Sequence, residues 1–399
     1  MTTLNGLSLP TLPIPDADAL AHSAACATML RDTIREAGGW ISFAEFMGKA
    51  LYAPGLGYYA AGARKFGRVG DFVTAPEISP LFGQCVARSV ADTLMATHGS
   101  LLELGPGTGK LAFDVLLALD ALNALPEQYL LLEVSADLQA RQRETLSALP
   151  PLLFARCVWM TALPVDFVGA MVANEVLDVV PVHLVTFNQG RVFERGVGLE
   201  NNQFCWQDGP AWQSAGRDLV EMVAVVDREV FQSMPPERYV TEFVPQAKAL
   251  TASLVHALKV GVILLIDYGF RRSEFYHTDR TMGTLMCHYR HHAHTDPFLH
   301  PGLQDITAHV DFTAIAEAGV DAGGELIGYA TQANFLLGAG IIELIAQHDP
   351  NDTVRYLALT NQAQRLLSPA EMGEFFKVIG FCKGPHTIGA LANMRQLPL

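Results

Sequence analysis

The sequence predicts an α/β protein whose core is a mainly parallel sheet covered by helices on both faces. Three observations support this prediction. From Ser100 onward, short apolar runs alternate with longer segments in which apolar residues have helical spacing. The short runs are largely apolar throughout, which is typical of strands buried on both faces of a parallel sheet. A glycine-rich turn follows the first of these runs and precedes a helix, as in nucleotide-binding cores.

Length and charge exclude some classes of function. The chain has 399 residues, which predicts two to three domains of about 150 residues each. Half of the residues are apolar and 17% are charged, a composition typical of globular proteins. The net charge is −14, and no patch of clustered Lys and Arg occurs. We therefore expect no nucleic acid as a partner, because phosphate binding depends on such a patch, whereas a cationic or neutral partner suits this charge.

The cysteines and the apolar runs predict a cytoplasmic protein. Six scattered cysteines without a C-x-x-C pair are typical of reduced thiols, not of a zinc ribbon or a disulfide framework. The first ten residues lack the basic start of a signal peptide. The longest apolar runs, such as Val260–Ile266, have the length of a strand, so we expect no insertion into a membrane.

Residues 1–97 are predicted to form an N-terminal helical region. A Pro-rich, irregular leader of about 16 residues is followed by helical spacing over Asp18–Ala37 and Phe43–Leu51. A loop dense in Gly and Pro, Tyr52–Pro80, then leads into a helix over Leu81–Thr97.

The sheet and its helices are predicted over residues 98–182 and 245–399, with two insertions. A β-hairpin insertion is predicted at 183–244, where residues alternate at period two around Asn188–Gly190. A second insertion, 271–312, is polar and rich in His, and such long irregular segments usually have a function, here that of a substrate or lid segment. The predicted strands are Leu101–Leu104, Tyr129–Val134, Arg156–Trp159, Gly169–Ala173, Val262–Asp267, Glu325–Ala330 and Phe376–Phe381. The predicted helices are Lys110–Ala121, Ala136–Leu149, Pro245–Leu258, Gln332–Gln347 and Thr353–Leu366.

The turn after the first strand is the most informative stretch. Its glycines permit positive φ and let a ligand approach the backbone, and the helix that follows presents unpaired N–H groups. A P-loop is excluded because Leu111 stands where Ser or Thr would hold Mg²⁺. A dinucleotide turn fits poorly because Lys110 stands where its third glycine would be. With Glu103 ahead of it, the turn resembles the acid-x-G-x-G-x-G loop of class I S-adenosylmethionine (SAM) methyltransferases. The three glycines are Gly105, Gly107 and Gly109.

A second acid supports a ligand that contains adenosine. Glu133 ends the apolar run of the second strand, where an acid can accept hydrogen bonds from both ribose hydroxyls. Both NAD and SAM fit this geometry, and a solvent-facing glutamate is the alternative. Val134 beside it belongs to the same predicted site. Trp159, after the third strand, can stack on adenine or belong to the core.

Four further motifs make the resemblance specific to one family. They are Gly70–Ser79 (GDFVTAPEIS), Ala173–Val182 (ANEVLDVVPV), Leu264–Gly269 (LLIDYG) and His294–Phe312, which contains HTDP and DITAHVDF. With the glycine turn, they resemble the MidA family of SAM-dependent methyltransferases, from about residue 30 to the C-terminus. That family includes the mitochondrial assembly factor that methylates an arginine of respiratory complex I. The resemblance implies a class I methyltransferase Rossmann-like sheet with a helical N-terminal region and β and loop insertions, SAM as cofactor, and a protein substrate that includes respiratory-complex subunits among its candidates.

The resemblance also implies roles for individual residues. In class I SAM methyltransferases, which the glycine turn resembles, that turn packs beside the amino-acid part of SAM and the first acid contacts its ammonium group. The loop that contains Asp71, Thr74 and Glu77 is implied to fold over the methyl-transfer site, although Thr74 or Glu77 can instead cap the next helix. The residues predicted to bind the cofactor are Glu103, Gly105, Pro106, Gly107, Thr108, Gly109, Glu133, Val134, Trp159, Asn174, Thr74 and Pro76.

Glu175, Asp178 and Glu77 are the predicted catalytic residues. Asn174 and Glu175 follow the fourth strand, so they emerge at the carboxyl edge of the sheet, where ligands bind in open α/β folds. Asp178 is predicted to lie on the same face of a short helical turn, where two carboxylates can hold a guanidinium. The alternative is a helix N-terminus with acids that interact with its dipole. Asp267, at the end of the fifth strand, is another candidate.

The histidines do not predict a metal site. Six of the thirteen lie within residues 288–309, without the fixed spacing that zinc ligands usually have. Residues 306–312 alternate apolar and polar side chains, which predicts a strand with one polar face that includes His309 and Asp311. These two can orient a substrate or act as a base, or close a lid. Lys110 is interpreted as a solvated helix residue.

The predicted function is therefore methyl transfer from SAM to a protein, at an arginine side chain. Two alternatives stay open at this point. One is an NAD-dependent oxidoreductase, which the spacing of the glycines disfavours. The other is a non-enzymatic assembly factor that retains a nucleotide-binding fold. This alternative is disfavoured by the intact glycine turn and by the presence of both Glu103 and Glu133.

Overall fold

The computed structural model describes residues 12–60, 74–188, 191–211, 223, 224, 226 and 238–385. The chain divides into two compact units, each built from several segments of sequence. We call them the accessory unit (Met1–Phe72, Val179–Gln246 and Ser273–His309) and the core unit (Val73–Asp178, Ala247–Arg272 and Val310–Leu399).

The strands and helices of the described residues are numbered in chain order. The strands are β1 (Trp40–Ser42), β2 (Ser100–Leu104), β3 (Tyr129–Leu132), β4 (Cys157–Met160), β5 (Phe167–Asn174), β6 (His183–Asn188), β7 (Arg191–Glu200), β8 (Gln203–Ala211), β9 (Arg238–Phe243), β10 (Leu258–Phe270), β11 (Met286–Tyr289), β12 (His292–His294), β13 (Asp305–Thr307), β14 (Val310–Asp311), β15 (Glu325–Thr331) and β16 (Phe376–Lys383). The helices are α1 (Ala17–Glu36), α2 (Phe43–Tyr52), α3 (Ala75–Ile78), α4 (Pro80–Thr97), α5 (Lys110–Ala121), α6 (Ala136–Leu146), α7 (Pro151–Phe154), α8 (Pro245–Ala257), α9 (Arg272–Phe275), α10 (Phe312–Asp321), α11 (Gln332–Gly338), α12 (Ile341–Ala346) and α13 (Thr353–Leu367).

The core unit contains an eight-stranded sheet with the order β15-β16-β10-β5-β2-β3-β4, and β14 pairs with the end of β10. Neighbouring strands are parallel from β10 to β4, and β16 is antiparallel to both of its neighbours. The chain runs outward from β2 to β3 and β4 and then returns to the other side of β2 as β5. The strand order therefore reverses between β2 and β5, and a crevice at the carboxyl ends of these strands is where such sheets bind ligands.

Helices α4 and α5 cover one part of this sheet. The apolar residues of α4 recur three and four positions apart and are buried, among them Leu81, Phe82, Cys85 and Val86. Gly83 allows close packing between these helices, because a Cβ at that position would lie 2.6 Å from the Cβ of Asp114 on α5. The core of this unit is thus formed by strands that are apolar on both faces and by helices with one apolar face.

The predicted elements of the core unit are largely confirmed, with ends that shift by a few residues. Helix α5 begins and ends as predicted, while α6 ends at Leu146 instead of Leu149. The single helix predicted over Gln332–Gln347 is wrong. It is two helices, α11 and α12, separated at Gly340, which has a φ of +82° and therefore cannot continue a helix.

The strand predicted over residues 306–312 is also wrong. Strand β13 ends at Thr307, a two-residue strand follows at Val310–Asp311, and α10 begins at Phe312. Asp311 is the N-cap of α10 and accepts hydrogen bonds from the backbone N–H groups of Thr313 and Ala314, both at 3.1 Å. The extended segment is therefore interrupted at Ala308 and His309 and ends at the cap of α10.

The accessory unit contains α1, α2 and two antiparallel sheets. One has the order β1-β7-β6-β9 with β8 paired to β7, and the other has the order β12-β11-β13. The predicted hairpin is present as β6 and β7, with Asn188 opposite Arg191, and the two residues between them lie outside the described residues. Strands β11 and β12 were not predicted, because runs of three or four residues are too short to show periodicity. No helix of the described residues is long and apolar enough to cross a membrane.

Candidate active site

The glycine turn lies directly after β2, at the point where the strand order reverses. Gly105, Gly107 and Gly109 have φ values of +59°, +53° and +83°. A Cβ at Gly105 would lie 3.0 Å from Cγ2 of Val176, so the turn has little room for a side chain there. Gly109 is the N-cap of α5 and provides no side chain to cap it. The turn can therefore present the first N–H groups of α5 to a carboxylate.

Glu103, the predicted first acid, is buried within β2. Its side chain is 2% exposed, and Oε2 accepts a hydrogen bond from the hydroxyl of Tyr129 at 2.6 Å. Burial raises the pKa of this carboxyl to about 7, and the hydrogen bond from Tyr129 opposes that rise. Tyr129 was not predicted as part of the site, since its position at the start of β3 reveals nothing of its partner.

Glu133, the predicted ribose acid, follows β3 and is also buried. Its Oε1 accepts a hydrogen bond from the backbone N–H of Ser135 at 2.8 Å, and its Oε2 accepts one from Nε2 of Gln142 at 3.2 Å. Val134 next to it is 75% exposed. An oriented carboxylate beside an exposed apolar side chain can hold a ribose and the base attached to it.

Gln142 on α6 connects these parts, and sequence reasoning missed it. Its Nε2 donates to the carbonyl oxygen of Gly107 at 3.0 Å as well as to Glu133, and its Oε1 accepts from the indole N–H of Trp159 at 2.9 Å. The guanidinium of Arg143 lies 4.4 Å from the centroid of the Trp159 ring. The structure therefore gives the indole a hydrogen-bonding role and a cation–π contact, while adenine stacking on it stays a prediction.

Asn174 and Glu175 lie at the end of β5. Nδ2 of Asn174 donates to Oε1 of Glu175 at 3.1 Å. Oδ1 of Asn174 is buried and has no hydrogen-bond partner among the described residues. Glu175 has a φ of +54°, a left-handed conformation that is uncommon for a residue with a side chain and is concentrated at functional sites.

Asp267 has a structural role that differs from the prediction. Its Oδ2 accepts hydrogen bonds from the backbone N–H groups of Val176, Leu177 and Asp178 at 3.1, 2.8 and 3.3 Å, and its Oδ1 accepts one from its own neighbour Tyr268. Asp267 therefore has a structural role, since Oδ2 of its carboxylate holds the backbone after β5. Burial, followed by the charges of Asp178 and Glu175, raises its pKa well above the usual range.

Glu175 and Asp178 do not share a helical turn, which corrects a second prediction. Residues 175–180 form bends and turns, and Asp178 is buried while Glu175 is half-buried. The backbone bonds to Asp267 and the left-handed Glu175 replace the predicted helix. Both acids nevertheless lie close enough to Asp267 to perturb its ionisation, so an acidic cluster does form at this edge of the sheet.

Glu77, the third predicted catalytic residue, contacts the glycine turn. Its Oε1 accepts a hydrogen bond from the hydroxyl of Thr108 at 2.6 Å. Thr74 is the N-cap of α3 but makes no capping hydrogen bond with its side chain, and Pro76 is buried in the first turn. The alternative prediction, in which the side chain of Thr74 or Glu77 caps the next helix, is therefore wrong. Asp71 lies outside the described residues.

Lys110 corrects another prediction, because it is not merely solvated. Its Nζ lies 2.5 Å from Oδ2 of Asp114, a buried carboxylate one helical turn away. The structure also differs from the role predicted for Asp311 together with His309. The side chain of Asp311 caps α10, and its Oδ2 lies 3.7 Å from Nε of Arg272. Among the described residues, no group of three or more His, Cys, Asp or Glu side chains is placed to hold a metal ion.

A sheet that reverses at a glycine turn, with an acid after the next strand, is the arrangement that class I SAM-dependent methyltransferases share with dinucleotide-binding folds. The sequence profile of a family of S-adenosyl-L-methionine-dependent methyltransferases matches residues 85–330. The chain belongs to this family, which confirms the predicted MidA-like methyltransferase and its cofactor over the NAD-dependent alternative.

Solved and curated relatives agree with this assignment. A COG1565 superfamily member from Burkholderia thailandensis, whose crystal structure contains S-adenosyl-homocysteine, is 48% identical, with a TM-score of 0.90 over 96% of this chain and 98% of that chain. The mitochondrial protein arginine methyltransferase NDUFAF7 of Danio rerio is 29% identical over 86% of this chain and 83% of its own length. The Homo sapiens protein of the same name is 28% identical over 87% of this chain and 81% of its own length.

Proposed function

We propose that this enzyme transfers the methyl group of SAM to an arginine side chain of a protein. The observation that supports an arginine is the acidic cluster after β5, where Glu175 is held in a left-handed conformation beside the buried Asp178. An acidic cluster at the carboxyl edge of the sheet suits a cationic acceptor. The names of the mitochondrial relatives, protein arginine methyltransferases, support the same acceptor.

The cofactor is proposed to lie across the carboxyl ends of β2, β3 and β5. Glu133 would accept hydrogen bonds from the ribose hydroxyls, with Val134 beneath the adenine. The glycine turn and the N-terminus of α5 would hold the amino-acid part, with Glu103 opposite its ammonium. The positive φ of all three glycines fits such a ligand, as does the buried Oδ1 of Asn174, which has no hydrogen-bond partner in the described part of the chain.

SAM supplies an electrophilic methyl group, so the protein mainly has to align the acceptor nitrogen and exclude water. A guanidinium is a weak nucleophile because its positive charge is shared over three nitrogens. If Glu175 and Asp178 pair with two of these nitrogens, the third keeps more lone-pair character and can face the methyl group. Glu77, bonded to Thr108, would hold the loop before α4 against the glycine turn. The nitrogen that gains the methyl group also loses one proton, which a carboxylate of the acidic cluster or water can accept. No strong base is required, since the doubly charged guanidinium formed by methyl transfer is itself a strong acid.

Two further parts of the proposal concern partner and location. A respiratory-complex subunit is the proposed class of substrate, on the resemblance to the MidA family. A reducing compartment such as the cytoplasm is proposed because all six cysteines are free.

A comparison of two variants tests the proposal. Purified protein with isotopically labelled SAM is incubated with cell extract, and methylated peptides are identified by mass spectrometry. We expect labelled methyl groups on arginine. Glu175→Gln should leave the dissociation constant for S-adenosyl-homocysteine within about twofold and lower the transfer rate by about 100-fold or more. Glu133→Gln should instead weaken the binding of S-adenosyl-homocysteine.

The outcomes are distinct. Label on lysine, on a carboxyl group or only on small molecules would contradict the arginine acceptor. A Glu175→Gln enzyme that transfers methyl groups at the parent rate would contradict the role given to the acidic cluster, even if arginine is the acceptor.

A further inference from the structure

One buried amide contacts three separate parts of the candidate site. Gln142 on α6 has an exposed fraction of 0% and lies in none of the motifs that identify the family resemblance. Its hydrogen bonds reach the carbonyl of Gly107 in the glycine turn, the carboxylate of Glu133 and the indole of Trp159 on β4.

The orientation of this amide is determined by Trp159. An indole N–H can only donate, so the atom of Gln142 that faces it must be the amide oxygen. The amide nitrogen then faces the two acceptors, the carbonyl of Gly107 and Oε2 of Glu133. Its two N–H groups match these two acceptors one to one. A rotated amide would place two acceptors against its oxygen and a donor against its nitrogen, so it is excluded.

The carboxylate of Glu133 is thereby held from two sides. The backbone N–H of Ser135 donates to one oxygen at 2.8 Å and Gln142 donates to the other at 3.2 Å. A free glutamate side chain has several rotamers, and ordering it on binding would weaken the affinity by the entropy that is lost. Both hydrogen bonds therefore preorganise the carboxylate of Glu133 before a ligand binds.

We propose that Gln142 is a positioning residue for the cofactor, which orients Glu133 toward the ribose and links this acid to the glycine turn. The proposal rests on the role given to Glu133 under the proposed function. Packing supports the link to the turn, because a Cβ at Gly109 would lie 3.3 Å from Cα of Gln142. Helix α6 thus contacts the turn through the same residue that bonds to Glu133.

A double-mutant cycle tests this proposal, with the dissociation constant for S-adenosyl-homocysteine measured by calorimetry. Gln142→Leu should weaken binding about tenfold or more, since it removes the donor to a buried carboxylate. In a Glu133→Gln background, adding Gln142→Leu should weaken binding by about threefold or less, because the carboxylate it positions is already altered and only its bond to the carbonyl of Gly107 is lost. A purely structural role would give the same loss in both backgrounds.

Two further variants keep the test decisive. Trp159→Phe retains the ring and removes the N–H, so it should cause a smaller loss that also disappears in the Glu133→Gln background. The control is Gln139→Leu on the same helix, which removes a 2.7 Å hydrogen bond to the main-chain carbonyl of Glu133 but leaves both contacts to its carboxylate. It should change the dissociation constant by less than about threefold.

The results separate the two proposals. Unchanged binding by Gln142→Leu, or equal losses in the parent and Glu133→Gln backgrounds, would overturn the positioning role. If Gln142→Leu does not fold, the Trp159→Phe cycle gives the same decision. Unchanged binding by Glu133→Gln would instead overturn the ribose role of Glu133, on which the proposed cofactor placement depends.

Discussion

The buried acid Glu103 should make the folded protein less stable as the pH rises. Its pKa is raised from 4.5 to about 7, first by burial, with the hydrogen bond from Tyr129 acting in the opposite direction. Since the folded state holds its proton to a higher pH than the unfolded state does, this group lowers stability as the pH rises from about 4.5 to 7. The interval between these pKa values corresponds to about 3 kcal/mol of unfolding free energy.

Glu103→Gln removes this titration while keeping an oxygen that can accept from Tyr129. Replacing the carboxyl group by an amide changes the free energy of unfolding by an amount that does not depend on pH. Comparing the two proteins at two pH values therefore isolates the contribution of the ionisation of Glu103. We expect the variant to gain about 2–3 kcal/mol relative to the parent between pH 5 and pH 8. Urea unfolding followed by circular dichroism at both pH values measures this difference.

The same carboxylate should respond to the cofactor. If the ammonium group of the cofactor lies near Glu103, binding favours the ionised form, so the affinity of the parent for S-adenosyl-homocysteine should rise from pH 5.5 to 7.5 and then level off. Glu103→Gln should bind more weakly, without that rise. A stability difference between parent and variant that is equal at pH 5 and pH 8 would refute the assignment of a raised pKa to this residue.

Three further outcomes follow from the geometry. Gly109→Ala should cost about 1–2 kcal/mol of stability because its φ is +83°, and it should also weaken binding of S-adenosyl-homocysteine. Gly323→Ala, at a φ of +87° with no described atom within 4 Å of the added Cβ, should cost only this conformational part, about 1–2 kcal/mol, without changing affinity in the same calorimetric assay, whereas a Cβ at Gly109 would also lie 3.3 Å from Cα of Gln142. Thr108→Val should raise the KM for SAM through loss of the bond to Glu77, whereas Thr108→Ser should not; equal KM values would contradict this. Asp267→Leu leaves four backbone N–H groups without their acceptor and should destabilise the fold by about 3 kcal/mol or more in urea unfolding.

The sheet of the core unit was predictable because its evidence is local. Strands buried on both faces are continuous apolar runs, and α5 follows a turn whose glycines are adjacent in sequence. The same holds for the glycine turn, Glu133 and Asn174, since each lies at the end of one strand. Gly340 shows the limit of this argument, because a helical pattern on both sides of it concealed a break that the positive φ reveals.

The contacts that organise the site were not predictable, because they join residues that are distant in sequence. Tyr129 lies 26 positions from the acid it bonds, and Thr108 lies 31 positions from Glu77. Asp267 illustrates the reverse case. Its place near the end of a strand suggested a ligand contact, yet in the tertiary structure its Oδ2 holds three backbone N–H groups after β5, 89 to 91 positions away.

Sequence alone determined the class of fold, the glycine turn and the two acids that follow neighbouring strands, because periodicity and spacing are properties of the chain itself. The tertiary structure decided which side chains orient which others. It placed Gln142 between Gly107, Glu133 and Trp159, and it replaced a predicted helical turn by a left-handed Glu175 anchored next to Asp267. The physical reason is that a buried polar group must find a partner in space, and its position in the chain does not identify that partner.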